Sequence, residues 1–241
     1  MSYSVDHASA HTETPMLRFA MKSGAARAYS TGAKALLGLM LAGVLAGCAA
    51  PRPGTALVYD FGPGAVALVP ANRMAPLPPL VLAEVQAPQA LDNTSVLYRL
   101  NYSDAHVLQP YAQARWSMPP AQLLRQQLRA ALSAQRAVLN ANEGVQSPAG
   151  ALVLRLELEE FSQIFDSPQA SSGLLRLRAT LSHSAPGGEA LVAQRMVLVK
   201  SPSASPDAAG GVRALAAAAA QAVEQLDQWV QQTQAALPAK L

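Results

Sequence analysis

The chain has 241 residues, with 18 Lys plus Arg against 15 Asp plus Glu and a single cysteine, Cys48. Four of the basic residues (Arg18, Lys22, Arg27, Lys34) and two of the acidic ones (Asp6, Glu13) precede Cys48, which leaves 14 against 13 after it, a net of +1. That near balance excludes reading the basic total as a nucleic-acid footprint. One cysteine supplies neither a disulfide framework nor a Cys-ligated metal.

Residues 1–15 are polar and include His7 and His11. They differ from an ordinary signal n-region, so Met1, Met16 and Met21 are all candidate starts and these histidines are given no role. Basic residues then lead into the apolar run from Ala35 to Val44, which ends in Leu45-Ala46-Gly47-Cys48. This is the n-region, h-region and small-residue cleavage site of a secretory signal peptide. Its last four residues resemble a lipobox, the signal carried by bacterial lipoproteins. The resemblance implies that Leu45, Ala46 and Gly47 are read by the signal peptidase, that 1–47 is removed, and that Cys48 carries diacylglycerol on sulfur and an acyl group on nitrogen. No other cofactor is expected. A transmembrane anchor is the rival reading, but the run is short and holds Gly38 and Gly43, whereas a spanning helix needs about 20 apolar residues. Several acyl chains on one residue anchor stably where one alone does not. Residue 49 is Ala rather than the Asp that retains lipoproteins in the inner membrane of enteric bacteria, which favours the outer membrane.

Residues 48–79 are expected to form a lipidated N-terminus, a short edge strand near Leu57–Phe61 and a linker rich in proline (Pro63, Pro70, Pro76, Pro78, Pro79). About 160 residues follow, enough for one domain with its own core, placed at 80–236 with a tail at 237–241. Leu80–Val85 reads as a strand, Leu91-Asp92-Asn93 as a turn, and Ser95–Leu100 as a second strand. A third strand lies within His106–Trp116. Pro119-Pro120 opens a helix, since proline fits a first turn. Leu124, Leu128, Ala131, Leu132 and Gln135 recur at helical spacing, and the helix is predicted to end near Arg136. Asn140–Gly144 reads as a loop. Leu152, Leu154, Leu156 and Leu158 alternate with Val153, Arg155, Glu157 and Glu159, the clearest strand. Leu175–Leu181 and Val192–Lys200 follow as two more around a Pro186-Gly187-Gly188 turn, giving an antiparallel meander. Glu157 or Glu159 would face Arg176 or Arg178 on its polar side. Ser205-Pro206-Asp207 caps a last helix running to about Ala236. Its stripe Val212, Ala216, Ala219, Val223, Leu226 and Val230 has heptad-like steps. The stripe either packs on the sheet or joins copies of the chain into a homo-oligomer. The fold class is α+β: one domain with a mainly antiparallel sheet packed by two main helices.

No phosphate loop, His-Glu-x-x-His or Gly-x-Ser-x-Gly is present. His106 and His183 lack a local nucleophile and carboxylate. Glu157, Glu159 and Glu160 would pair as general acid and base only in a cleft, and alternation places Glu157 and Glu159 on the polar sheet face. Neither catalysis nor a metal site is expected. Trp116, beside Arg115 and near Tyr111, is either a recognition anchor or a packing staple, with packing the weightier reading.

The lipobox, Tyr59-Asp60-Phe61-Gly62, Leu91-Asp92-Asn93, Tyr98-Arg99, Tyr111, Arg115-Trp116-Ser117-Met118-Pro119-Pro120, the Leu152–Phe161 strand and the Ala-rich last helix occur in that order over residues 45–235. Together they resemble the ABC-type transport auxiliary lipoprotein family, which includes the lipoprotein of the paraquat-inducible transport system. The stretch from Val66 to Pro79 departs from the pattern by its prolines. The resemblance implies a non-enzymatic periplasmic domain tethered to the outer membrane. It implies partnership with an MCE-domain substrate-binding protein, a permease and an ATPase that move phospholipids or other hydrophobic molecules between the two membranes. Ring-like homo-oligomers are a further implication. The alternative is an outer-membrane structural or assembly lipoprotein handling lipopolysaccharide or outer-membrane proteins. A lipid-anchored enzyme using His106 or His183 is the third class.

Overall fold

A long bent strand is the backbone of this structure, a computed structural model that describes residues 55–63, 77–141, 151–185 and 188–237. The elements in chain order are β1 (Leu57–Tyr59), β2 (Leu77–Gln86), β3 (Ser95–Leu100), β4 (Asp104–Trp116), α1 (Pro120–Ser133), β5 (Arg136–Asn140), β6 (Leu152–Ser167), β7 (Ala170–Ala185), β8 (Gly188–Pro202) and α2 (Ala208–Ala236). The described elements belong to one unit, Gly54–Leu241. The chain is α+β, with an eight-stranded mixed sheet and two helices.

β6 is paired on both edges. One edge carries β7 antiparallel along its whole length, from Leu152↔His183 to Ser167↔Ala170, and β7 in turn carries β8. This is the predicted meander. The other edge is shared: β2 runs parallel to residues 152–157 and β3 parallel to residues 163–165. The sheet therefore forks there. One branch is β2–β5, parallel, and the other is β3–β4–β1. The long ladders are antiparallel, as expected, but four of the pairings are parallel, which strand periodicity cannot reveal. β1 is an edge strand, pairing only with β4.

A β-bulge lies at the fork. Leu158 faces Leu177 and Glu160 faces Arg176, so Glu159 is the extra residue. Bulges add a residue on one strand and bend it. Here the insertion shifts the alternation, so Phe161 joins Leu152, Leu154, Leu156 and Leu158 in the core. Glu159 reaches both Arg176 (3.0 Å) and Arg178 (2.6 Å). The predicted cross-strand pairing is present, with Glu159 serving both arginines. As a half-exposed cluster it adds little to stability.

Both helices cover one face of the sheet. α1 starts where the double proline places it, with Pro119 as N-cap and Pro120 in the first turn. It buries Leu124, Leu128 and Leu132. Helical periodicity overran its end. The helix closes at Ser133 and a two-residue turn leads into β5, whose first residue is Arg136, the residue given as the helix end. Five residues are too few to show a period of two, so β5 stayed hidden. Its partner β2 starts at Leu77, inside the predicted linker. The ladder shifts register between Leu77 and Leu80, where Pro78 and Pro79 have no N–H to donate.

α2 lies across β7, β8 and α1. Val212, Ala219, Val223, Leu226 and Val230 are buried in the common core, with Ala216 half-buried. The heptad-like stripe is thus used within the chain and offers no seam for self-association. The exposed large apolar side chains among the described residues lie instead on β1 (Leu57, Val58), β8 (Leu191, Met196, Leu198) and the β3–β4 hairpin (Tyr102, Val107).

Asp207 caps α2, its side chain accepting from Gly210 N (2.7 Å) and from Ser205 Oγ (2.9 Å). The Gly210 backbone donor, with Ser205, holds its carboxyl below the usual aspartate range. Asp207→Ala is expected to cost about 1 kcal/mol, the usual value for a lost cap, read as a shift in denaturation midpoint. A depressed folded-state pKa stabilises above the unfolded-state value of about 4. That contribution disappears as pH falls through the lower folded-state value, so wild type and variant should converge in acid.

Candidate functional site

The residues Leu45, Ala46, Gly47 and Cys48, and the Val66–Pro76 stretch, lie outside the described residues. The other sequence candidates can be placed. His106 stands on β4 with its side chain 98% exposed, 3.2 Å from Asp104 Oδ1. His183 is half-buried on β7, opposite Leu152 and Ala190. Glu157 is exposed, and Glu159 and Glu160 are held by arginines. Among the described residues no three His, Cys, Asp or Glu side chains gather where an ion could sit, and no described helix is long and apolar enough to cross a membrane.

Five residues of the family-like pattern, Phe61, Tyr98, Arg99, Tyr111 and Trp116, converge on β6 at the fork. Tyr98 and Arg99 are the register partners of Gln163 and Ile164. Arg99 Nη2 reaches Glu160 Oε2 at 3.2 Å. The Tyr98 and Tyr111 rings lie 4.6 Å apart. Tyr111 donates to Gln163 Oε1 (2.8 Å), and Gln163 Nε2 donates to Ser171 Oγ (2.8 Å). Burial, with Tyr98 and Asp207 nearby, raises the Tyr111 hydroxyl above the ordinary tyrosine range, so it stays a proton donor at any physiological pH. Trp116 is 2% exposed, with Phe61 at 5.4 Å edge-on and Phe161 at 5.7 Å. It is the packing staple, not an exposed anchor. The pattern is therefore architectural: it clamps the β3–β4–β1 branch of the sheet onto β6.

Sequence reasoning missed the partners of that clamp, Glu160, Phe161 and Gln163, and two glycines that let α2 sit down on it. A Cβ on Gly211 would fall 1.9 Å from Gln163 Oε1, and one on Gly173 would fall 2.6 Å from Leu215 N. It also missed Arg136, which is 2% exposed and donates from Nη1 to Gln234 Oε1 at 2.8 Å. Burial lowers its pKa, with Asp227 opposing.

A concave feature adjoins the clamp. A cavity of about 530 Å³ lies between α1 and the turn after β1, with α2 contributing Val223. Phe61, Met118, Leu123 and the small residues Ala130, Ala131 and Ala134 form much of its wall. Gly62, at φ 81°, lets the chain turn there, and its N–H is held by Asp60 Oδ1 at 2.8 Å.

A family model described as the ABC-type transport auxiliary lipoprotein component matches residues 59–227, from the end of β1 deep into α2. The chain belongs to this family. Two solved structures share the fold of this auxiliary lipoprotein. A Xanthomonas campestris protein of the DUF330 family is 22% identical, with a TM-score of 0.60 over 74% of this chain and 97% of that one. An uncharacterized protein is 19% identical, with a TM-score of 0.54 over 73% of this chain and 99% of that one. At these identities the likeness is one of fold. Among curated proteins none matches. The family places the auxiliary lipoprotein in the cell envelope as an accessory to an ABC-type transporter.

Proposed function

We propose that this auxiliary lipoprotein is a non-enzymatic, lipid-anchored component of an MCE-type ABC system that moves phospholipids or other hydrophobic molecules between the inner and outer membranes. The observation that carries the reading is the family match across residues 59–227, standing directly downstream of the lipobox at Leu45–Cys48. In this reading Cys48 bears the acyl chains, the domain faces the periplasm from the outer membrane, and an MCE-domain substrate-binding protein is the partner.

Cross-linking in intact cells, followed by capture of the tagged lipoprotein and mass spectrometry, tests the partner. An MCE-domain protein in the eluate is the expected result. Recovery of only outer-membrane assembly components would replace the proposal with the assembly reading. For the anchor, Cys48→Ser is expected to abolish labelling by radioactive fatty acid. It should also release the domain from membranes or leave uncleaved precursor. Undiminished labelling would overturn the assignment of Cys48.

A further inference from the structure

The cavity beside α1 has a shape and lining that the accessory role leaves unused. Its wall follows α1 from Leu123 to Ala134, about 16 Å at 1.5 Å per residue. It is thus elongated, and its volume of about 530 Å³ falls within the 300–1,000 Å³ or so of small-molecule sites. Alanines at 130, 131 and 134 withhold side-chain volume along one wall, while Phe61, Met118 and Leu123 supply apolar surface. Asp60 is the only charged residue among the described lining residues, and its Oδ1 is engaged by Gly62 N. Ser117, Gln126 and Gln127 add neutral polar groups to an otherwise apolar wall. An elongated, mostly apolar slot matches a hydrocarbon chain better than a compact polar metabolite, because each methylene held there is withdrawn from water. Methionine in such a wall adapts to an irregular chain.

We propose that this cavity holds one acyl chain of a phospholipid. The inference rests on the transport reading for the source of that lipid. The anchor on Cys48 is the other source of such a chain, and the mass of the adduct in the test below separates the two.

The test uses the full-length lipoprotein in cells, with a benzophenone amino acid at Gln126. This residue is exposed on α1 and borders the cavity. A matching substitution at Gln122, exposed on the same helix but outside the lining, is the control. After irradiation, intact-mass analysis should show a phospholipid adduct at position 126 and none at position 122. Filling the slot with Ala131→Phe should lower the adduct about tenfold, the scale of a small volume change in an apolar pocket. Ala134→Leu serves the same purpose if circular dichroism shows the first variant to be misfolded. A cross-link at 126 without added mass would identify the anchor's own chain and overturn the proposal. Equal adducts at both positions, no adduct, or an adduct insensitive to filling would overturn it too. Capture of an MCE-domain protein without any lipid adduct would remove the cavity proposal and leave the transport reading standing. The reverse pair of results would do the opposite.

Discussion

Trp116→Ala is expected to lower the unfolding free energy by about 3–5 kcal/mol, the range for emptying a buried Trp or Phe site. The indole is 2% exposed and touches Phe61 and Phe161 at ring separations of 5.4 and 5.7 Å. Pairs of this geometry add about 0.5–1.5 kcal/mol beyond the area they bury. The three rings come from three separate places in the chain: the turn after β1, the end of β4 and the fork in β6. Removing the middle one leaves a hole where the β3–β4–β1 branch meets β6. Urea denaturation followed by circular dichroism measures the loss. A shift worth less than about 1 kcal/mol, the size of an ordinary surface change, would show that the fork is held without the aromatic trio. Trp116→Phe should recover a good part of the deficit.

Gly173→Ala is the second large effect. An added Cβ would lie 2.6 Å from Leu215 N and 2.7 Å from the Ala214 carbonyl carbon. Both are backbone atoms of α2, so no rotamer change relieves the contact. The helix must rise off β7, losing packing along its length. Overpacking a core typically costs about 1–3 kcal/mol, and a backbone clash belongs at the upper end. Gly211 is a different case. There the obstructing atoms are the Gln163 side chain, which can move, though at the expense of its bonds to Tyr111 and Ser171. Thermal or chemical denaturation of Gly173→Ala beside Gly211→Ala compares the two. A near-neutral Gly173→Ala would mean that the helix does not press on β7 at this point.

The sequence made legible whatever repeats at a fixed period. The alternating leucines of β6 and β7, the amphipathic run after Pro119-Pro120 and the Asp207 cap all stand where local chemistry puts them. What stayed hidden depends on partners remote in the chain. β5 has five residues and is defined by β2. The parallel pairings carry no local signature. Glu159 breaks the alternation of β6, so the pattern that identified the first half of the strand misreads the second, where Phe161 and Gln163 turn out to be structural. Tyr98, Arg99, Tyr111 and Trp116 stood out as a pattern, yet nothing local told that they meet at one point. The cavity was invisible for the same reason: its walls come from the turn after β1, from α1 and from α2.

The fork in β6 also dictates an order of events. Until residues 152–167 are available, β2–β5 and β3–β4–β1 are two separate ribbons with no strand to join them. β1 must wait more than fifty residues for β4, and β2 about seventy for β6. Contacts so distant along the chain slow folding, because loop closure costs entropy before any burial offsets it. The first half of this protein therefore emerges as exposed apolar ribbon. Its sheet cannot close before that one strand, residues 152–167, has arrived.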